Sequence, residues 1–281
     1  MRGADPAARA AWYLESERHS WRVPHRPPHP RMRHYVARDY EGSTEQIGSH
    51  RLLLPATTSV TLVVKVLDSP FRPPEFVRGP ADAFHLLDGV CAPAYLQIML
   101  TPLGAYQLLG VPLDELRGRV ADLRDVLGPD SAPFADRVRD APTWRQRFAI
   151  VDEVLGGRAA AATRPSPEVA RAWSILVASG GRERIGRIAA EVGWSHKHLT
   201  RRFTTQVGLA PKAAARVIRF GRAVNQLGRG APSLARLAAE SGYADQAHLT
   251  RDFRSLAGVT PGDFLTRLRA ATRPAAAASA R

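Results

Sequence analysis

The sequence has a single cysteine, Cys91, among its 281 residues. One thiol excludes an intramolecular disulfide and a cysteine-based zinc cluster within one chain. No neighbour in sequence would lower its pKa, so a buried structural thiol is expected rather than a redox sensor. Long apolar runs are missing too, and the first residues lack the apolar core of a signal peptide, so a cytoplasmic location without a membrane partner is expected.

Catalytic signatures are equally scarce. The chain has no GxSxG elbow, no phosphate-binding loop and no carboxylate pair in a matching motif, and the expectation is that it is not an enzyme and carries no cofactor. His25, His29, His34, His50 and His85 raise the question of a metal, since imidazole is a common ligand. Three of these five lie in a proline-rich stretch, and no HxH or HxxxH pair on a clear strand or helix there is followed by a carboxylate, so no metal site is expected.

What the sequence does contain is positive charge and a repeat. The formal charge is +14, with 44% hydrophobic residues, enough to build cores. From Arg182 to Arg269 sixteen Arg or Lys face six acids, which places +10 of that total in one third of the chain. Such a concentration calls for a polyanionic partner, nucleic acid or an anionic membrane surface. No aromatic stacking platform accompanies the arginines, which disfavours RNA.

"HLTRRF" begins at His198 and "HLTRDF" at His248, so five of six residues recur. The flanks recur as well: "RIAAEVGWSHK" and "RLAAESGYADQA" precede them, and "VGLAP" and "AGVTP" follow. Each copy reads as a helix, a turn at Gly193 or Gly242 where positive φ is easy, and a second helix capped by Ser195 or starting near Asp245. In the second helices, spanning about 195–206 and 245–256, Leu199, Phe203 and Gln206 share one side, as do Leu249, Phe253 and Leu256. Lys197, Arg201 and Thr204, and Ala247, Arg251 and Arg254, lie opposite.

An α-helix fits the major groove, where Arg and Lys donate to guanine and small side chains touch the thymine methyl. His196, Lys197, Gln246 and His248 fall in the first turns, which usually reach the bases. Pro211 to Leu227 predicts a connecting helix; at 1.5 Å per residue it spans roughly 25 Å, near the roughly 34 Å turn of B-DNA. A single basic amphipathic helix is more often a solvated face, but duplication favours two reading heads.

These residues resemble the DNA-binding domain of AraC-type transcriptional regulators over about 168–270, on "IAAEVGWSHKHLTRRFTTQVGLAP", "RFGRAVNQL" and "LAAESGYADQAHLTRDFRSLAGVTPGDFL". The resemblance implies two helix-turn-helix units, joined by a long helix, in adjacent major grooves. By it, Lys197, Thr200 and Arg201, with Gln246, Ala247, His248 and Arg251, occupy base-reading positions. Arg202, Arg219, Arg222 and Arg254 are assigned to phosphates. Asp252 adds a negative charge beside Arg251 and Ala247 offers only a methyl, so a less stringent second half-site is expected.

Residues about 29–155 resemble the sensor region of some actinobacterial members, on "LTPLGAYQLLGVPLDELRGRVADLRDVLG" and "APTWRQRFAIVDEVL". Such N-terminal domains are often cupin-like and bind a small effector or dimerise, although those motifs alone imply neither.

The expected fold class is α+β. A flexible arm, 1–30, leads into a small β domain with helices over 31–156, used for sensing or dimerisation. A linker follows at 157–167, then the all-helical double helix-turn-helix domain at 168–270 and a disordered tail at 271–281. Strands are predicted at Tyr35–Tyr40, His50–Leu54, Ser59–Leu67, Glu75–Val77, Phe84–Leu86 and Ala94–Leu100. Thr101 and Thr143 are predicted helix caps, with Gly110 and Gly156 as stops. The function expected is a transcriptional regulator of double-stranded DNA. Its further candidate partners are a small-molecule effector, a second copy of the chain, and RNA polymerase if it activates. Two other readings stay open at this point: an adaptor whose helices no longer touch DNA, and a metal-dependent enzyme in the β region.

Overall fold

A computed structural model describes residues 12–15, 21–22, 24–45, 51–67, 73–88, 94–161, 163–230 and 233–272. Cys91, His50 and the tail from 273 onward lie outside the described residues. The N-terminal half is antiparallel β with helices, and the C-terminal half is helical, as expected for α+β.

Among the described residues the larger sheet has seven strands. Its order is β10 (Val120–Asp122), β7 (Glu75–Arg78), β6 (Val60–Leu67), β9 (Ala94–Leu100), β4 (Tyr40–Glu45) and β2 (Trp21–Arg22), with β3 (His25–Arg26) also on β4. The central pair, β6 and β9, are the two most apolar strands, and Val60, Leu62, Val64, Leu96, Ile98 and Leu100 are fully buried. A smaller sheet runs β1 (Trp12–Glu15), β5 (Arg51–Leu54), β8 (His85–Asp88).

Among the described residues four α-helices pack on this half: α1 (Pro102–Leu109), α2 (Leu123–Leu127), α3 (Ser131–Asp140) and α4 (Trp144–Ala161). Thr101 caps α1 by accepting from the Gly104 amide at 3.1 Å, and Gly110 ends it in the left-handed region at φ 73°. Thr143 likewise accepts from the Gln146 amide at 3.3 Å. These caps fall where the sequence places them.

Three expectations change. The arm is not free over its described residues, because β1, β2 and β3 pair with β5 and β4 and residues 30–32 form a 3-10 turn. Asp152 on α4 holds it: its carboxylate accepts from the His29 amide at 3.0 Å and from the Tyr40 hydroxyl at 2.8 Å, and pairs with Arg26 at 3.0 Å. Burial, and then this hydrogen bond, push the Tyr40 hydroxyl well above the usual tyrosine pKa.

Secondly, the segment Tyr35–Tyr40 is not a strand. Val36 makes an isolated bridge to Leu100, and the strand begins only at Tyr40. Thirdly, Gly156 does not stop α4, which runs on to Ala161. Arg158 donates to the Leu108 carbonyl at 2.9 Å and pairs with Asp130 at 3.1 Å, while Leu155 and Ala159 stay in the apolar cluster. Tertiary contacts outweigh the glycines' preference for a break.

The C-terminal half comprises α5 (Pro167–Ala178), α6 (Ile185–Glu191), α7 (His196–Val207), α8 (Pro211–Gly228), α9 (Leu234–Ser241), α10 (Gln246–Ala257) and α11 (Pro261–Thr272). Helix α8 runs through its centre with one apolar face. Ala214, Val217, Phe220, Ala223, Val224 and Leu227 are buried in one cluster with Leu199, Phe203 and Val207 of α7 and Leu249, Phe253 and Leu256 of α10. Leu53 and Ala56 of the N-terminal half belong to the same cluster.

Asp252 departs from its expected place. It corresponds to Arg202 in the other copy, yet it is 5% exposed and pairs with Arg216 of α8 at 2.7 Å, whereas Arg202 is exposed. The one letter that differs between the two hexapeptides marks where α8 takes a carboxylate from α10. The negative charge is therefore turned inward, and the argument for a less stringent second half-site loses that support.

Two stability predictions follow from these contacts. Gly157 is helical and exposed, and a Cβ there meets nothing. Gly157→Ala should raise unfolding stability by up to about 1 kcal/mol in denaturant titrations, and a loss would refute a continuous α4. Arg216→Met leaves a buried carboxylate unpaired and should cost about 3 kcal/mol. Asp252→Asn leaves only a part-exposed guanidinium that water can reach, and should cost about 1 kcal/mol. Equal costs would show that the pair is not buried in this asymmetric way.

Candidate nucleic-acid interface

Each helix-turn-helix unit is assembled by the same local chemistry. Helix α6 ends at Glu191, Gly193 takes φ 72°, and the Ser195 hydroxyl accepts from the His198 amide at 3.2 Å to start α7. In the second unit α9 ends at Ser241, Gly242 takes φ 83°, and the Asp245 carboxylate accepts from the His248 amide at 2.6 Å to start α10. Asp245 adds a negative charge at the positive end of the helix dipole. The left-handed glycine is what lets the chain reverse within so few residues.

An aromatic residue follows each glycine and packs edge-on against a histidine of the following helix. Trp194 lies 4.5 Å from His198 and Tyr243 lies 5.1 Å from His248, centroid to centroid. Sequence reasoning did not single out this pair of contacts. Its signal was nevertheless present, in "GW" and "GY" at equivalent positions with a histidine shortly after each.

The apolar sides of both helices are buried as expected, with Leu199, Phe203 and Gln206 inside α7 and Leu249, Phe253 and Leu256 inside α10. Gln206 accepts from the Ser166 amide at 3.0 Å, tying the start of α5 to α7. On the other side His196, Lys197 and Arg201 are exposed and Thr200 is half-buried. The second helix presents Gln246, Ala247 and Arg251 exposed and His248 half-buried.

Arg202, Arg222 and Arg254 are exposed, whereas Arg219 is not available in the same sense. It donates to the Gly181 carbonyl at 2.6 Å, and its guanidinium lies 6.0 Å from the Tyr243 ring centroid. That inward arrangement does not suit the phosphate contact expected of it. Arg219 instead links the turn before α6 to the turn of the second unit. Arg182 completes the link, since a Cβ at Gly242 would meet its side chain at 2.6 Å. Burial, and next the charge of Asp252, hold the Tyr243 hydroxyl above the ordinary tyrosine range.

Acidic side chains elsewhere in this half are engaged away from the two exposed helix sides. Glu191 pairs with Arg171 at 2.6 Å, Glu240 with Arg236 at 2.7 Å and Glu183 with Arg187 at 3.8 Å. Lys197, Arg201, Arg202 and Arg254 have no acidic partner among the described residues. Both outer faces are therefore left with cations that an anion can take up.

The N-terminal histidines are scattered. His25 lies 3.8 Å from Glu41, the His29 ring accepts from the Arg31 amide at 3.3 Å, His34 packs on Tyr35, and His85 lines an open groove with Asp82, Asp114 and Arg117. Among the described residues no group of three or more His, Cys, Asp or Glu is placed to hold a metal ion. No helix among them is long and apolar enough to cross a membrane.

Residues 188–267, from within α6 to within α11, match a family described as a helix-turn-helix domain. A curated relative, an HTH-type transcriptional regulator of Mycobacterium tuberculosis, is 28% identical over 136 residues, covering 48% of this chain. The chain spans about half the length of that relative, 50%. Among solved structures, the C-terminal domain of AraT, a response regulator from Geobacillus stearothermophilus, is 21% identical with a TM-score of 0.36, covering 42% of this chain and 95% of that one. ToxT from Vibrio cholerae with bound unsaturated fatty acid is 13% identical with a TM-score of 0.44, covering 94% of this chain and 96% of that one. The C-terminal half of this chain carries a helix-turn-helix domain.

Proposed function

We propose that the chain is a sequence-specific, DNA-binding transcriptional regulator that sets α7 and α10 into adjacent major grooves on one side of the duplex. The observation that carries this reading is the equivalence of the two exposed helix sides: each second helix is capped at its first turn, and its outward cations have no acidic partner among the described residues. The curated relative's name, a transcriptional regulator, supports it.

Within this reading Arg201 and Arg251 are the principal base readers, donating to guanine acceptors. His196, Lys197 and Thr200 on α7, and Gln246 and Ala247 on α10, supplement them. His248 is half-buried against Tyr243 and reaches a base only by its exposed edge. Arg202, Arg222 and Arg254 hold phosphates and set register without reading sequence. Arg219 acts indirectly, by fixing the second unit's turn.

The N-terminal half supplies modulation, by a small effector or by dimerisation, and RNA polymerase is the further partner if the outcome is activation.

Selection of bound sequences from a random duplex pool by the purified full chain tests the reading. An enriched motif with two half-sites about one helical turn apart is expected; failure to enrich any sequence would exclude it. On that motif Arg201→Ala should cost about 1–3 kcal/mol at one base pair and relax preference there. Arg202→Ala should weaken all sequences alike and lower the salt slope by about one. Equal losses on specific and random DNA for Arg201→Ala would remove it from the base readers.

A further inference from the structure

Gly208 and Gly258 are the equivalent glycines of "VGLAP" and "AGVTP", and each ends a second helix in the left-handed region, at φ 82° and 68°. Neither opens onto solvent alone. A Cβ at Gly208 would run into the Pro80 ring and lie 2.9 Å from the Leu113 carbonyl oxygen. A Cβ at Gly258 would lie 3.1 Å from the Phe84 ring. The Ala56 amide donates to the Leu256 carbonyl at 2.8 Å, satisfying one of the orphan carbonyls at the end of α10. Leu53, Ala56, Phe84 and Leu103 all pack against the apolar cluster that α7 and α10 share.

Both contact points stand on one platform. Thr57 and Ala81 exchange amide–carbonyl hydrogen bonds at 2.9 and 2.8 Å, the Gly118 amide donates to the Pro80 carbonyl at 2.8 Å, and Arg117 grips Asp82 through two nitrogens at 2.6 and 3.2 Å. The segments that meet α7 and α10 are thus hydrogen-bonded to each other. The N-terminal half touches the two units at the same place in each repeat, at the end opposite the capped first turns.

We propose that the N-terminal domain is a positioning element for DNA: by holding both second helices at their C-terminal ends, it sets the half-site separation the chain accepts. Each helix is a stiff lever roughly 18 Å long. A shift of about 1–2 Å at its held end, typical of helix displacements at interfaces, is a sizeable part of the roughly 3.4 Å between successive bases. Phe84 and Leu103 act through α10 and α7 and touch no DNA themselves.

This inference rests on the proposed DNA-binding function, and the experiment keeps the two apart. The full chain and its F84A/L103A variant are compared by band shift on the selected motif. Duplexes carry the original half-site spacing or one changed by one base pair either way. Wild type should lose about tenfold per changed base pair, the scale of one mismatched contact, and the variant about twofold, with both folded by circular dichroism.

If the double variant does not fold, Phe84→Leu and Leu103→Val, which trim less, must each flatten the preference in the same direction. An unchanged spacing preference overturns the proposal. So does tighter binding at every spacing, which would make the platform a restraint rather than a gauge. Absence of any enriched motif for wild type would instead sink the functional reading beneath it.

Discussion

Everything in the C-terminal half depends on α8 burying one apolar face under two units at once. Phe220 meets Phe253 edge-on at 5.0 Å, and Phe264 of α11 meets both, at 6.3 and 5.5 Å. Interlocked rings of this kind give directional contacts beyond their buried area. Because α7 and α10 also fill that cluster, a large rotation of either unit about α8 would open a cavity in the core they share. The repeated hexapeptide is the sequence form of this constraint: its Leu and Phe are one helical turn apart and go inward, and its Arg goes outward.

What could be read from sequence was what is decided locally. Helix caps at Thr101, Thr143 and Ser195, the left-handed glycines Gly193 and Gly242, and the inward set on each second helix all depend on a few adjacent residues. The parts that escaped reading are decided by distant partners. Asp252 reads as a surface charge until Arg216, 36 positions away, is placed beside it. Gly156 and Gly157 read as a stop until Arg158 is seen to hold Leu108 and Asp130. The proline-rich arm reads as free because its partner, Asp152, lies 123 residues from His29. Strand β4, "YEGSTE", has little β-branched character, and its place comes from pairing with β9 and β2.

Charge is arranged as carefully as apolar surface. Most acids of the C-terminal half are spent on arginines outside the second helices, at Arg171, Arg187, Arg236 and Arg216. The exposed pairs among these, at Arg171, Arg187 and Arg236, contribute little stability in water. Their effect is on the field: acids paired there do not compete for the outward cations Lys197, Arg201, Arg202, Arg251 and Arg254. A chain with the same composition and its acids beside Lys197 or Arg251 would have the same net charge and a far weaker attraction for a polyanion.

The two units are similar in backbone and unequal in electrostatics, and the inequality follows from α8. On α7 the cap is a neutral serine, and Lys197, Arg201 and Arg202 are all outward, giving three cations. On α10 the cap is Asp245, and the position of Arg202 is taken by the buried Asp252, so Arg251 and Arg254 stand against one exposed acid. Recruiting a carboxylate from α10 to meet Arg216 removed a cation from that face. Under the proposed reading, α7 then supplies most of the sequence-independent, salt-dependent capture of the backbone. Helix α10, with less charge to hold it on any duplex, depends on base contacts for its affinity, and so weighs more in choosing between sequences than in finding DNA.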